Sequence, residues 1–333
     1  MSYTVTLSPS GEQFKVNQQE TVLDAALRQN IGLPYGCQGG ACGACAATLK
    51  TGQVQYENGE PSALAGAGDN ACLTCQATLT EDIALTVKTS SSDEVIEIQN
   101  LPCKVIEKTL LCHDVVKITL KLPDDKRLPF KAGQYLNIIL EDKRTRAFSI
   151  ANAPHNDELI ELHIRHVEGG SFTDVVFNDL NEKDILRIEA PFGSFMFQDD
   201  SANPVIMVAG GTGFAPLKAM VEHLIYTDIK NPVLFYWGVR SKQDLYHLEL
   251  AEQWAAEHDN IQFMAVLSEP DNDWQGRKGF VHEAVLEDYP NLSIFDIYMA
   301  GPPIMCQSAK KAFLVADLTE SNLFSDPFEY SND

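Results

Sequence analysis

Residues Tyr35–Leu49 read YGCQGGACGACAATL. Cys37, Cys42 and Cys45 stand with four and two residues between them, and Cys75 follows after a further 29. Three thiolates from one loop and a fourth from a neighbouring element can surround a two-iron, two-sulfur cluster, in the plant-type ferredoxin spacing. Gly36, Gly39, Gly40 and Gly43 fit that use, because a backbone wound around sulfide ions needs little side-chain bulk and positive φ values. N–H groups of such a loop also point at the cluster and offset its negative charge. A zinc site is the alternative, since Cys72 and Cys75 form a Cys-x2-Cys hook; buried unligated thiols are another. The four-residue gap and the glycine density favour iron and sulfide. Cys72 is then a spare thiol packed beside Cys75, and Cys103, Cys112 and Cys306, with no ligand partners in sequence, read as buried hydrophobes.

Around this loop the chain alternates as a strand over residues 3–7, turns at Gly11 and returns through Phe14–Val16. Thr21 fits an N-cap, and Val22, Leu23, Ala26 and Leu27 recur at helical spacing until Gly32 and Pro34 end the element. Strands resume at Ala46–Leu49, Gln76–Thr78 and Ile83–Val87, and Thr89–Asp93 has the composition of a linker. The expected first domain is residues 1–95.

Five strand-like segments follow, Cys103–Leu110, Val115–Leu120, Tyr135–Ile139, Ala147–Ile150 and Leu159–Val167, with one good helix at Ser171–Phe177. Short strands at this spacing predict an antiparallel β-barrel over residues 96–200. Beyond Asn203 strands and helices alternate: Val205–Val208, helix Ala215–Tyr226, Val233–Trp237, helix Asp244–Glu257, Ile261–Val266, helix Val281–Leu286, Ile294–Met299 and helix Ile304–Val315. This is the pattern of an α/β parallel-sheet domain over residues 201–333. The whole is a multidomain chain of 333 residues, long enough for two domains of about 150 residues or three smaller ones.

Lysine and arginine total 25 against 47 aspartate and glutamate, a net charge of −22. Phosphate neutralisation needs a positive surface, so a general nucleic-acid binder is excluded. With 44% hydrophobic and 9% aromatic residues the chain is not a disordered acidic tail either. Net charges of −7, −4 and −11 fall on residues 1–98, 99–200 and 201–333; the least acidic segment suits a phosphorylated cofactor. The amino terminus lacks a basic patch and an apolar run, and no stretch nears the roughly 18 apolar residues of a membrane span. Clustered rather than spread cysteines point to a reducing, cytoplasmic setting.

The motifs RAFSIANAP (146–154), GGSFT (169–173), GGTGFAP (210–216), AGPP (300–303) and FSDPF (324–328), in this order behind the cysteine loop, resemble the iron–sulfur flavoprotein reductases of the ferredoxin–NADP reductase superfamily over nearly the whole chain. Within it, FVHEAVLEDYPNLS (280–293) and SIANAP (149–154) resemble the reductases of CDP-6-deoxyhexose biosynthesis, and next the reductase components of ring-hydroxylating oxygenases. The resemblance implies that Cys37, Cys42, Cys45 and Cys75 hold the cluster. It implies that Arg146 meets the FAD pyrophosphate, Phe148 lies against the flavin and the Ser149 hydroxyl sits near flavin N5. Independently, side chains at 146 and 148 of a strand share one face.

Gly169, Gly170, Ser171 and Thr173 begin the helix of the barrel region, where exposed N–H groups attract phosphate; an ordinary serine N-cap suits the same residues. Gly170, Ser171 and Thr173 are expected nearest the FAD pyrophosphate, and Arg165 to line that cavity. Gly210, Gly211, Thr212 and Gly213 lack the G-x-G-x-x-G spacing, yet strand, turn and helix still offer a close backbone approach to a ligand; the resemblance implies that this turn faces the nicotinamide nucleotide, with Thr212 touching it and Gly301 and Pro302 as the opposite wall. Ala300 stands where many relatives carry cysteine. The resemblance implies that Phe328 lies over the flavin's far face, with Asp326 as the acidic residue two positions before it; a frayed terminus is the alternative. Arg240, Ser241 and Tyr246 bear on the choice between NADH and NADPH, and the acidity of this region favours NADH.

The chemistry expected is hydride transfer from NADH, or NADPH, to FAD, then single electrons through the 2Fe-2S cluster to a protein acceptor: an oxygenase, an oxygenase ferredoxin or a sugar dehydratase. An acidic docking face with Glu57, Glu60 and Asp69 would meet a partner of complementary charge. A reductase of free flavin or quinones, or a non-enzymatic ferredoxin-containing docking module, are the alternatives. A monomer or weak dimer is expected.

Overall fold

The computed structural model describes residues 2–64, 67–68, 70–87 and 96–328. The expected linker at 89–93, the expected boundary at 95 and Asp69 lie outside them. The chain divides into two compact units: Met1–Glu97 with Gly193–Phe195, and Ile98–Phe192 with Met196–Asp333.

The first unit is a mixed five-stranded sheet in the order Gln13–Asn17, Ser2–Ser8, Ile83–Thr86, Ala46–Thr51, Ala71–Leu73. The pairing of Ser2–Ser8 with Ile83–Thr86 is parallel and the others antiparallel. The amino-terminal hairpin alternates as its sequence does: Val5, Leu7, Phe14 and Val16 are buried and the residues between them are more exposed. The helix Val22–Arg28 starts at Thr21, whose hydroxyl accepts from Asp24 N. Two other N–H groups of its first turn, of Val22 and Leu23, donate to the carbonyls of Ala77 and Thr74. They anchor the segment that carries Cys75 to the helix and leave no orphaned donor there. The predicted strand Gln76–Thr78 is instead a turn over residues 74–76 followed by a two-residue strand, Thr78–Leu79, paired with Val54–Gln55.

The second unit holds a barrel-like antiparallel sheet of six strands, in the order Thr145–Ser149, Tyr135–Ile139, Ile185–Phe192, Gln99–Cys112, Val115–Lys121, Leu159–Arg165. Ile185–Phe192, unread in the sequence, is central: it pairs with both Tyr135–Ile139 and Gln99–Cys112. Ile118, Leu120, Leu136, Ile160 and Leu162 fill the interior, closed by Phe172 and Val176 of the helix Ser171–Asn178.

The same unit contains a six-stranded parallel sheet, ordered Arg277–Lys278, Ile261–Leu267, Val233–Val239, Val205–Gly210, Asp296–Gly301, Leu323–Pro327. Helices cover both faces, so Val205–Gly210 is buried throughout, as its unbroken apolar run requires. Ile206 and Val208 face the helices Val281–Asp288 and Pro303–Val315. On the opposite face Phe214, opening the helix Phe214–Tyr226, stacks 4.1 Å from Trp237. The order reverses beside Val205–Gly210, and in open sheets ligands collect outside the carboxyl ends of the strands at such a point. The chain leaves those ends through Gly211 and Pro302.

Candidate functional site

The cysteine loop brings four sulfurs together as two pairs. Cys45 Sγ and Cys75 Sγ are 3.0 Å apart, and the Cys37 and Cys42 thiols hydrogen-bond to each other. Backbone donors converge on them: Cys37 N and Ala44 N each reach Cys42 Sγ at 3.4 Å, and Gly39 N reaches Cys37 Sγ at 3.3 Å. The Cys42 thiol and the N–H groups of Cys42, Ala41 and Gly39 outweigh burial and hold Cys37 down at about 5. The Cys45 thiol is lowered by its bond to Cys75. Gln76 Nε2 donates to Gln38 O at 2.7 Å, which ties the loop to the Cys75 turn. Gly40, at φ +85°, has Gln76 Cγ only 3.0 Å from where a Cβ would stand, so any other residue here is strained and crowds Gln76.

All eight cysteines are free. Four thiols in two pairs, ringed by N–H donors, suit an anionic iron–sulfur cluster. Cys72 is wholly buried, and burial pushes its thiol up to about 12. Burial does the same to Cys103 and Cys306.

The second group of residues lies where the barrel meets the parallel sheet. Arg146 and Phe148 face the same way on Thr145–Ser149, opposite Ile138 and Leu136. Arg146 Nη1 donates to Thr145 O, and the half-buried Phe148 ring packs 5.7 Å from Phe172. Gly170 caps the helix Ser171–Asn178 without a side chain. Thr173 Oγ1 accepts from Val167 N at 3.2 Å and lies 3.1 Å from Val167 O, so this hydroxyl closes the turn before the helix. Arg165 stands beside Gly211: its Nη1 is 2.8 Å from where a Gly211 Cβ would be, and its Nε is 3.0 Å from Asp114 Oδ2.

Gly210–Gly213 and Ala300–Gly301 touch through their backbones. A Cβ on Gly213 would lie 1.9 Å from Ala300 O, and one on Gly301, at φ +147°, 2.8 Å from Gly210 O. The carboxy-terminal segment is not frayed before Phe328. Leu323–Pro327 pairs with Asp296–Gly301, setting Asp326 opposite Ala300, and Phe328 N donates to Gly301 O at 2.9 Å. Asp326 thereby meets the barrel, where Ser149 Oγ donates to its Oδ2 at 3.5 Å. Ser149, Gly301 and Phe328, distant in sequence, come together through this strand.

Tyr246 is half-buried, with its hydroxyl 3.1 Å from His163 Nδ1. Ser241 N and Oγ both donate to Asp244 Oδ2, at 3.0 and 3.2 Å, and Arg240 lies within 4 Å of carboxylate oxygens of Asp114 and Asp244.

Sequence reasoning missed a buried network between barrel and sheet. Lys218 Nζ, on the helix Phe214–Tyr226, bonds Ala151 O at 3.1 Å and approaches Glu161 Oε1 at 3.3 Å and Glu222 Oε1 at 2.8 Å. Glu161 also binds His163 Nε2 at 2.7 Å. Burial would raise the Glu161 carboxyl, but His163 and the Lys218 charge outweigh it and hold it at about 2. Burial lowers His163, and burial with His163 lowers His247 to about 4. The available signal was a lysine amid the apolar run FAPLKAMV (214–221).

Family models match three stretches: the 2Fe-2S iron-sulfur cluster binding domain at residues 5–80, the oxidoreductase FAD-binding domain at 102–197 and the oxidoreductase NAD-binding domain at 207–311. The chain is 39% identical to the CDP-6-deoxy-L-threo-D-glycero-4-hexulose-3-dehydrase reductase of Yersinia pestis, over 98% of this chain and 99% of that one. It is 33% identical to the terephthalate 1,2-dioxygenase reductase component 2 of Comamonas sp, over 98% of each. Among solved structures it is similar to the Amycolatopsis cytochrome P450 reductase GcoB, with a TM-score of 0.82, 28% identity and 98% of each chain covered. No helix among the described residues is long and apolar enough to cross a membrane.

Proposed function

Because the chain belongs to the iron–sulfur flavoprotein reductases of the ferredoxin–NADP reductase superfamily, we propose how its own residues divide that work and which partner receives the electrons. It is an NAD(P)H-dependent oxidoreductase with FAD and 2Fe-2S domains. When bound, the flavin turns a two-electron hydride donor into a source of single electrons, and the cluster relays them.

Cys37, Cys42, Cys45 and Cys75 hold the cluster; the two sulfur pairs and their N–H donors support this. Arg146 and the N–H groups after Gly170 hold the FAD pyrophosphate, with Ser171 and Thr173 shaping the turn, and Phe148 borders the flavin. Ser149 positions the reacting edge of the ring, its hydroxyl oriented by Asp326. Gly210, Gly211, Thr212, Gly213, Gly301 and Pro302 receive the nicotinamide nucleotide, Arg165 meets it at Gly211, and Phe328 covers the ring until the nucleotide enters. NADH is the favoured donor, since Ser241 and Arg240, the groups that could accept a 2'-phosphate, already face Asp244 and Asp114. The functional boundaries are residues 1–95, 96–200 and 201–333.

The acceptor is a partner protein of the CDP-hexulose dehydrase class. Full-length identity of 39% to such a reductase, against 33% to an oxygenase reductase component, carries this reading. Exposed Glu57 and Glu60 contribute to the acidic docking face, and Asp69 lies outside the described residues. The protein acts in the cytoplasm as a monomer or weak dimer; the clustering of its cysteines in sequence supports the compartment. Anaerobic NADH oxidation with purified partners tests the acceptor: turnover coupled to a CDP-hexulose dehydrase is expected, and turnover only with an oxygenase component, or only with free quinones, would overturn it.

A further inference from the structure

At the turn joining Gln99–Cys112 to Val115–Lys121, the side chains of Cys112, His113 and Asp114 bring a sulfur, a nitrogen and a carboxylate oxygen within 4.8 Å of one another. Cys112 Sγ lies 3.4 Å from Asp114 Oδ1. A fourth donor faces this group from the parallel-sheet region: Asp244 Oδ1 is 3.6 Å from His113 Nε2. Asp244 is 1% exposed, and this oxygen has no hydrogen-bond partner. A buried carboxylate oxygen without a donor is costly unless something binds it.

We propose that Cys112, His113, Asp114 and Asp244 form a binding site for a borderline divalent metal ion, zinc(II) in the first instance, distinct from the cluster site and adjoining the nucleotide site. A thiolate, an imidazole and two carboxylate oxygens are a zinc-type donor set. Both carboxylates are oriented for it by their other oxygens. Asp114 Oδ2 faces Arg165 Nε at 3.0 Å, and Asp244 Oδ2 accepts from Ser241 N at 3.0 Å and from Ser241 Oγ at 3.2 Å. Partners of this kind fix ligand orientation in metal sites.

The guanidinium groups of Arg165 and Arg240 lie against the two carboxylates, and the Cys112 thiolate offsets one of the dication's two charges. As the metal–sulfur bond forms, the Cys112 proton passes to solvent and no electron is transferred. The ion would link the barrel turn to the segment after Val233–Val239, beside Arg240 and Gly211.

The test is a zinc(II) titration of cluster- and FAD-loaded protein by calorimetry, with absorption spectroscopy at the zinc edge and acid-labile sulfide measured before and after. One ion per chain is expected, with one sulfur and otherwise nitrogen and oxygen neighbours, and with sulfide content unchanged. Losing a mere orienting partner already weakens metal binding by about tenfold or more, so H113A and C112S should each weaken it at least that much. His113 is exposed, so H113A keeps the fold. Absence of saturable binding, an all-sulfur shell with loss of sulfide, or equal affinity in H113A would overturn the proposal.

Discussion

Lys218 Nζ lies 3.3 Å from Glu161 Oε1, with the lysine 5% exposed, and the two belong to different layers: a helix on the parallel sheet and a strand of the barrel. The same ammonium bonds Ala151 O, so one buried cation clamps the flavin barrel to the nicotinamide sheet. Hydride transfer depends on how these layers hold donor against acceptor.

Removing one member of a buried pair leaves the other charged and desolvated, at a cost of about 3–5 kcal/mol. K218M is therefore expected to lower stability by that order in chemical denaturation. Replacing both charges of this pair, as in K218M/E161L, recovers part of the loss, since Glu222 still lacks its lysine. A double variant as unstable as the sum of its parts would show that the pair does not act as a unit.

The Glu161 carboxyl is depressed from 4.5 to about 2. A carboxylate with a lowered folded-state pKa stabilises fully above its unfolded value and loses that contribution as pH falls through the folded one. The wild-type protein should lose stability between about pH 4.5 and 2, and E161Q should flatten that part of the profile. The two profiles are read from denaturation midpoints across the pH range.

Much of this arrangement was legible in the chain. The cysteine spacing carried the cluster cage, and the period-two run Tyr135–Ile139 is a strand over the same five residues. Ile185–Phe192 was missed although Leu186, Ile188, Ala190 and Phe192 alternate with Arg187, Glu189 and Pro191, and its pairing on both sides makes it a central strand. The helix expected from Asp244 begins at Leu248 instead: the Asp244 side chain closes a capping box on Ser241, and that turn is a separate 3-10 element. Leu323–Pro327 looks like a polar tail until it pairs with Asp296–Gly301. Lys218 reads as an error in an apolar helix face unless Glu161 and Ala151 are known to face it.

Gly213 and Gly59 separate packing from local backbone cost. A Cβ at Gly213 meets Ala300 O at 1.9 Å, whereas one at Gly59, at φ +83°, meets nothing within 4 Å. G59A should cost only the left-handed penalty of about 1–2 kcal/mol. G213A forces the turn off the sheet, so its cost should be about 3 kcal/mol or more, with NADH binding lost. Equal effects in denaturation would contradict the contact.

Asp326 meets Ser149 through the last strand. D326A frees the Ser149 hydroxyl from its acceptor, and S149A removes it. Small misplacements at a reacting centre cost up to roughly a hundredfold in rate. Each variant should slow flavin bleaching by NADH in stopped flow by roughly tenfold to a hundredfold, with FAD content unchanged. The double variant should be no slower than S149A alone.

The central claim is that electrons leave one at a time through the sulfurs of Cys37, Cys42, Cys45 and Cys75. Anaerobic titration with NADH, followed by low-temperature electron paramagnetic resonance, tests it most directly. The account predicts a reduced two-iron signal that grows as the flavin bleaches, persists in C72S and is lost in C75S. Bleached flavin with no such signal, from protein that contains zinc and no inorganic sulfide, would contradict it.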